Sequence, residues 1–338
     1  HELILHHYPT SPFAEKARLM LGFKQLSWRS VMIPPVMPKP DLTALTGGYR
    51  RTPVLQVGAD IYCDTALIAR RLEAEKATPA LFPEGQEFTA ATLAQWADSV
   101  LFLNAVSLVF QPESMALRFA QVPKEFVQVF SKDRAQLFAN GSVSRVPLEQ
   151  AKSDWPVFMS RLQQQLAREE GEFLLGAAPS LADFAVAHCL WFLRATPVTA
   201  PLVDDYPEIR AWLGKVLGVG HGSSSEMSGE DAVRVAREAE PAALPEEALA
   251  DPNGFQEGQP VTIAAVDYGA DPVEGELVFA GAEELILRRS DDRAGVAANQ
   301  HGELGPRRAS AMSAAGSFHG RVRPQACHSA TTPAMLHR

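Results

Sequence analysis

The dipeptide Asp64-Thr65 carries side chains suited to a doubly charged ligand. It follows a short strand pattern and begins a helix pattern with Leu67, Ile68 and Leu72 as apolar members. A helix N-terminus offers free amides and partial positive charge, which favour a carboxylate, and the aspartate attracts an ammonium group. An α-amino acid end carries both charges on one carbon and suits the pair. An acidic N-cap without any ligand is the plainer alternative.

The hydroxyl of Ser11 is the second candidate group, because Ser11-Pro12 begins another helix pattern. Serine caps free amides, and proline loses nothing at the first helical position. The same hydroxyl would favour the thiolate form of a ligand thiol beside the helix N-terminus and lower its pKa. Capping alone and thiol activation both remain open.

The third candidate is Thr52-Pro53, which opens a strand pattern after the Gly47-Gly48 turn. A proline at a strand start is explained by an edge position that needs no donor. The alternative is a cis peptide that exposes neighbouring backbone groups to a ligand.

These candidates fall in one predicted α/β unit of order β-α-β-α-β-β-α, in which the first two strands pair in parallel. The predicted elements are a strand over Glu2–His7, a helix from Pro12, a strand over Ser27–Ile33, a helix over Asp41–Leu45, strands over Pro53–Val57 and Asp60–Cys63, and a helix from Asp64-Thr65.

After a linker at Pro79–Gly85, every periodic segment indicates a helix, and Ser180 with Asp183 forms a capping box. The helices are predicted over Phe88–Phe110, Lys124–Asn140, Pro147–Glu170, Leu181–Ala195 and Pro207–Leu217.

The C-terminal third has a different composition. Residues 221–254 read as a linker with one polar helix at Gly229–Glu240, and alternation over Val261–Arg289 predicts a small antiparallel β module at 255–292. Three visible strands are few for an independent fold. Residues 293–338 lose all periodicity, which predicts disorder. A sharper hypothesis is that this tail is out of the original coding frame, which sequencing of the gene would test.

Composition excludes several classes of protein. The 338 residues are 46% hydrophobic with a formal charge of -9, which argues against nucleic acid as a partner. Cys63, Cys189 and Cys327 are far apart, so neither a disulfide framework nor a metal site is predicted. No signal-peptide pattern is present, and the apolar stretch Val100–Phe110 is too short to span a membrane, so we expect a cytoplasmic location.

Taken together, the motifs resemble the glutathione transferase family over about residues 2 to 217. The resemblance rests on the string Tyr8 to Arg18 (YPTSPFAEKAR), on Arg51-Thr52-Pro53-Val54-Leu55, on Asp64-Thr65, and on the capping box preceded by Gly176. It implies a thioredoxin-like domain at 1–84 and an all-helical domain at 85–220, an α/β plus all-α architecture followed by the linker, β module and tail. It also implies a homodimer.

The resemblance also implies which residues bind glutathione. Pro53 would be the cis-proline, and the Val54 backbone would pair with the cysteinyl part. Asp64 would hold the γ-glutamyl ammonium and Thr65 its carboxylate, where family members have Glu-Ser. Arg51 lies where relatives often carry a basic or polar contact.

Ser11 matches the position that holds Ser or Cys at the start of the first helix, in a Ser-Pro-Phe-Ala-Glu string similar to the omega-like Cys-Pro-Phe-Ala-Glu pattern. Serine cannot form a mixed disulfide, which favours thiolate activation, and Tyr8 and Thr10 are rival activators. The implied function is attack by the thiolate of glutathione, as co-substrate, on a small electrophile. The alternative is a non-catalytic binding or scaffold protein with the same fold.

Overall fold

The N-terminal elements follow the predicted order. A computed structural model of the chain describes residues 1–168, 171–246 and 254–302 and the backbone of 313–314. The first elements are β1 Leu3–His7, α1 Pro12–Phe23, β2 Ser27–Met32, α2 Pro40–Thr46, β3 Val54–Val57, β4 Asp60–Cys63 and α3 Thr65–Glu75. β1 pairs in parallel with β2, as predicted.

Local sequence explains most of these boundaries. The Ser11 Oγ accepts a hydrogen bond from the Ala14 amide at 3.2 Å, and Pro12 occupies the first turn of α1. α2 ends at Gly47, whose φ of +74° is a left-handed conformation that glycine adopts at little cost. Turn and cap residues therefore set where α1 and α2 begin and end.

The second domain is helical over its described residues. Its elements are α4 Glu87–Trp96, a π-helical segment Ala97–Leu101, α5 Phe102–Val109, α6 Pro112–Arg118, α7 Lys124–Leu137, α8 Leu148–Leu166, α9 Leu181–Leu193, α10 Pro201–Asp204 and α11 Pro207–Leu217. The capping box is present, because Ser180 and Asp183 exchange the expected hydrogen bonds. The short helices α6 and α10 were not predicted.

The apolar stretch that was expected to be too short for a membrane span belongs to a longer helix. α4, the π segment and α5 run continuously over Glu87–Val109, which by length and composition alone could cross a bilayer. Half of its most apolar window is buried inside the protein, where α4 and α5 pack against α9.

The C-terminal region differs most from the sequence-based expectation. Instead of a plain linker, residues 221–254 contain β5 Ser223–Glu226 and α12 Gly229–Glu238, the latter at the position of the predicted polar helix. The antiparallel strands β6 Pro260–Ile263, β7 Val273–Ala280 and β8 Glu284–Asp291 are present. A further strand, β9 Gly295–Gly302, lies in the range predicted as tail, and β10 spans Ser313–Ala314. The remainder of the predicted tail lies outside the described residues, and so does the segment to which the coding-frame hypothesis applies.

These strands extend the N-terminal sheet rather than forming a separate module. The order is β10-β6-β7-β8-β9-β4-β3-β1-β2-β5. β9 pairs in parallel with β4, and β5 pairs in parallel with β2. Both outer strands of the N-terminal unit are thus covered by chain that follows the helical domain.

Alternate residues along the strands pack into two different hydrophobic cores. Leu3 and Leu5 of β1 face α1, α3 and the helical domain, whereas Ile4 faces α2, α12 and the C-terminal strands. This period of two is what a strand buried on both faces requires.

Candidate functional site

Asp64 lies at the N-terminus of α3 with one carboxylate oxygen unused. Its Oδ1 accepts a hydrogen bond from the Ala66 amide at 2.6 Å, whereas Oδ2 is buried and has no hydrogen-bond partner among the residues that the structure describes. Its φ of +129° is uncommon for a residue with a side chain. Burial raises the pKa of Asp64 to about 7, against the hydrogen bond from Ala66. An ammonium group would satisfy Oδ2 and favour its charged form.

Thr65 is held by a buried lysine. Lys16 Nζ donates to Thr65 Oγ1 at 3.2 Å and to Asp98 Oδ2 at 2.5 Å, and Asp98 Oδ1 is 2.9 Å from His188 Nε2. Burial raises the pKa of Asp98, but Lys16 and His188 outweigh it and the net pKa is lowered. The Lys16 ammonium therefore stands behind Thr65, where it would also attract a ligand carboxylate.

The Thr52-Pro53 peptide bond is cis. This is the second of the two interpretations of Pro53 given above, in which the neighbouring backbone groups face a ligand. The next residue, Val54, begins β3 and pairs with His6 on one side and Cys63 on the other. A cavity of about 420 Å³ brings Pro53 together with Asp64, Thr65 and Arg51.

Arg51 is already engaged within the chain. Its guanidinium makes an ion pair with Asp267, donates through Nε to the Tyr268 carbonyl at 3.1 Å, and stacks over the Tyr268 ring at 4.0 Å. Both partners lie in the loop between β6 and β7, which is anchored to the helical domain by the stacked rings of Phe138 and Tyr268, 4.9 Å apart.

Ser11 lines a second cavity of about 610 Å³, on which Tyr8 and Thr10 also border. The two cavities adjoin, since Phe13, Arg51, Thr52 and Tyr268 line both. Ser11 is buried, and its hydroxyl proton remains able to donate while the oxygen caps α1. The structure thus places Arg51, Pro53, Asp64, Thr65 and Ser11 along two adjoining cavities, whereas Val54 lines neither of them.

The comparisons with known proteins agree with this arrangement. The family model for the glutathione S-transferase N-terminal domain matches residues 5–80, and that for the C-terminal domain matches residues 152–215. A GST-like protein from Pseudomonas syringae is 61% identical, with a TM-score of 0.76 over 90% of this chain and 97% of that one. The chain belongs to the glutathione transferase family.

Other solved structures are more distant. The apo form of glutathione S-transferase III is 22% identical over 64% of this chain and 92% of that one, with a TM-score of 0.46. A glutathione S-transferase from Rhodospirillum rubrum F11 is 19% identical over 64% of this chain and 87% of that one, with a TM-score of 0.45. The search of curated proteins gives no significant match.

The transferase domains, residues 1–220, make up only about two-thirds of the 338 residues, so the 90% match to the Pseudomonas protein includes most of the C-terminal strands. In this chain the loop between β6 and β7 supplies Asp267 and Tyr268 to the cavities, which no local pattern predicted. Lys16 was also missed, although a signal existed: it lies beside Ala17 on the helix face of Phe13 and Met20.

Two further points concern cysteine and metal. Cys63 and Cys189 are free and buried, and Cys327 lies outside the described residues. Within the described ranges, no group of three or more His, Cys, Asp or Glu side chains is placed to hold a metal ion.

Proposed function

We propose that this protein binds glutathione in the smaller cavity and activates its thiol for attack on a small electrophile held in the larger one. The observation that carries the proposal is the unpartnered, buried Oδ2 of Asp64 next to Thr65 and the ammonium of Lys16. The Asp64 carboxylate would bind the ammonium of an α-amino acid end, and the Thr65 hydroxyl with the Lys16 ammonium would bind its carboxylate. Each charge of the ligand would then meet the opposite charge.

The remainder of the tripeptide would extend toward α1. Because Val54 pairs with β1 and β4, the cysteinyl part would pass the cavity wall at Thr52 and Pro53, and the sulfur would then lie near the N-terminus of α1. A hydrogen bond from the Ser11 hydroxyl to a charged sulfur contributes about 1.5–3 kcal/mol, and the helix N-terminus adds about 0.3–1 kcal/mol. Together they would lower the pKa of the bound thiol from about 8.5 to about 6–7.

The test is a thiolate absorbance titration of glutathione bound to the protein. We expect Ser11→Ala to return the pKa of the bound thiol toward its free value while binding persists, because Asp64 and Thr65 are unchanged. Tyr8→Phe and Thr10→Val are matched controls for the rival activators, and an effect confined to one of them would reassign the role. Absence of any association with glutathione at millimolar concentration would remove the proposal.

A non-catalytic binding role is the second candidate, and one observation favours it. The guanidinium of Arg51 is occupied by Asp267 and Tyr268 rather than left free for a ligand. Glutathione binding without any change in thiol pKa, together with a Ser11→Ala variant indistinguishable from wild type, would support this role. The homodimer and the cytoplasmic location remain proposals; light scattering coupled to gel filtration tests the first.

A further inference from the structure

The larger cavity has an unusual charge for a chain with a formal charge of -9. Among the described residues that border it, none is acidic and five are basic: Lys39, Arg50, Arg51, Arg118 and Arg134. A low-dielectric cavity lined by charges of one sign concentrates their field and favours a ligand of the opposite sign. The cavity is therefore electropositive in an otherwise acidic protein.

Three of the five cations already have partners. Arg51 pairs with Asp267, while Arg50 and Arg134 share Asp133, at 2.8 and 3.7 Å. Their charge is largely neutralised within the fold.

Arg118, at the end of α6, is different. Its guanidinium carbon lies 5.1 Å from the centre of the Phe192 ring, and its Nη1 is buried without a hydrogen-bond partner among the described residues. Burial lowers the pKa of Arg118, which only the nearby Tyr8 opposes. A buried donor of a charged group that lacks an acceptor is costly, and an anion that supplies the acceptor recovers that cost.

Lys39 approaches the same tyrosine. Its Nζ lies 5.8 Å from the centre of the Tyr8 ring, and its one hydrogen-bond acceptor among the residues that the structure describes is a hydroxyl, Thr52 Oγ1 at 3.2 Å. Burial lowers the pKa of Lys39 to about 8, an effect that a bound anion would oppose. Lys39, Arg118 and Tyr8 thus line the same cavity as Ser11.

Much of the remaining cavity wall is aromatic. The rings of Phe119 and Phe130 are 5.2 Å apart, and Phe110 stacks on Phe130 at 6.3 Å. These rings bury apolar surface and pair well with another aromatic ring. A ligand matched to this wall has a flat apolar body.

We propose that the larger cavity selects aromatic carboxylates, with the carboxylate held between Arg118 and Lys39 and the ring packed against the phenylalanines. The inference rests on the proposed function in one respect, since such a molecule would also carry the electrophilic carbon. For a chloromethyl substrate, the glutathione sulfur forms a bond to the benzylic carbon, chloride leaves with the electron pair of the broken bond, and the thiol proton is released to solvent.

The experiment compares two electrophiles of the same shape, 4-(chloromethyl)benzoate and the neutral 4-(chloromethyl)benzamide, after subtraction of the uncatalysed rates. We expect kcat/KM for the carboxylate to exceed that for the amide by about tenfold or more, as one charge-assisted hydrogen bond provides. Arg118→Met should reduce this ratio severalfold, leaving the part that Lys39 provides, and Arg118→Lys should reduce it less. Arg210→Met, on the exposed face of α11, is the matched control and should leave the ratio unchanged.

Calorimetry without glutathione separates the two proposals, using the unreactive 4-tert-butylbenzoate and its amide. Preferential binding of the carboxylate, with no turnover of either electrophile and no shift in the thiol pKa of bound glutathione, would support the cavity's selectivity and overturn the proposed function. Turnover of both electrophiles at equal kcat/KM, with equal binding of the two unreactive compounds, would overturn the selectivity alone. Because the wild-type ratio needs no variant, a failure of Arg118→Met to fold leaves the test intact.

Discussion

The unpartnered carboxylate oxygen of Asp64 makes glutathione affinity depend on pH in a predictable direction. Burial holds the pKa of Asp64 at about 7, so near neutrality the unliganded protein carries a proton there that an incoming ammonium must displace. Affinity should therefore rise with pH through the pKa of Asp64 in the free protein, and fall again where the ligand's own ammonium loses its proton.

The magnitude follows from the ionised fraction of this carboxyl. One pH unit above a pKa of about 7 the group is about 90% ionised, and one unit below it is about 10% ionised. The dissociation constant should thus weaken about tenfold between about pH 8 and about pH 6, equivalent to about 1.4 kcal/mol. The ammonium of Lys16 does not change this sign, because it is present in both states of Asp64.

Isothermal titration calorimetry with S-methylglutathione measures how the dissociation constant depends on pH. The methylated sulfur cannot ionise, so thiol activation does not contribute to the result. Asp64→Asn is the matched control: asparagine can still cap α3 but carries no charge. We expect this variant to bind weakly with a flat pH profile. A wild-type affinity that is the same at both pH values would refute the assignment. An equal slope in Asp64→Asn would attribute the pH dependence to another group.

Three further predictions concern stability and solubility. Asp183→Ala should lower the free energy of unfolding by about 3–5 kcal/mol in urea titrations. The reason is that the Trp212 indole nitrogen, 2.9 Å from Asp183 Oδ1, and the capped amides of α9 lose a buried acceptor. A loss below about 1 kcal/mol would contradict this. Lys16→Met should lower the free energy of unfolding by about 2–3 kcal/mol at neutral pH, because the carboxylate of Asp98 loses its cation. The loss should be smaller than for a fully buried pair, since the Asp98 side chain is 21% exposed. Acidification should recover part of the loss, because it protonates Asp98. Ending the chain after Leu217 should uncover both outer strands of the N-terminal unit and cause aggregation in dynamic light scattering; a monodisperse product would show that these edges are protected in another way.

Local signals were sufficient to predict the N-terminal domain. Ser11-Pro12 and Gly47 mark helix ends through the backbone geometry that each residue type favours, so the start of α1 and the end of α2 needed no tertiary information. The strand Asp60–Cys63 was predicted to the residue.

The C-terminal strand β9 was missed because its residues do not alternate. Ala297 and Ala298 are small, and the buried Asn299 is polar, which is tolerated because its side chain donates to the Leu45 carbonyl at 2.9 Å. One neighbour, β8, precedes β9 directly, but the other, β4, lies more than 200 residues earlier in the chain, and no local pattern reveals that pairing.

The residues of the candidate site that face the ligand could be predicted from the sequence, but the residues that contact and position them could not. Asp64 and Thr65 are recognisable because they begin a helix, whereas the placement of Tyr268 over Arg51 joins residues 217 positions apart. Only the fold brings these two together.

The pairing of β4 with β9 also has a consequence for biosynthesis. Roughly 230 residues separate Cys63 from Gly295. At about 5–20 residues per second, a ribosome needs roughly 12–46 s to make them. During that interval the β4 edge of the nascent sheet is without the strand that covers it in the folded protein. Until β9 has been made, this edge is open to pairing with a strand of another chain on the same polysome.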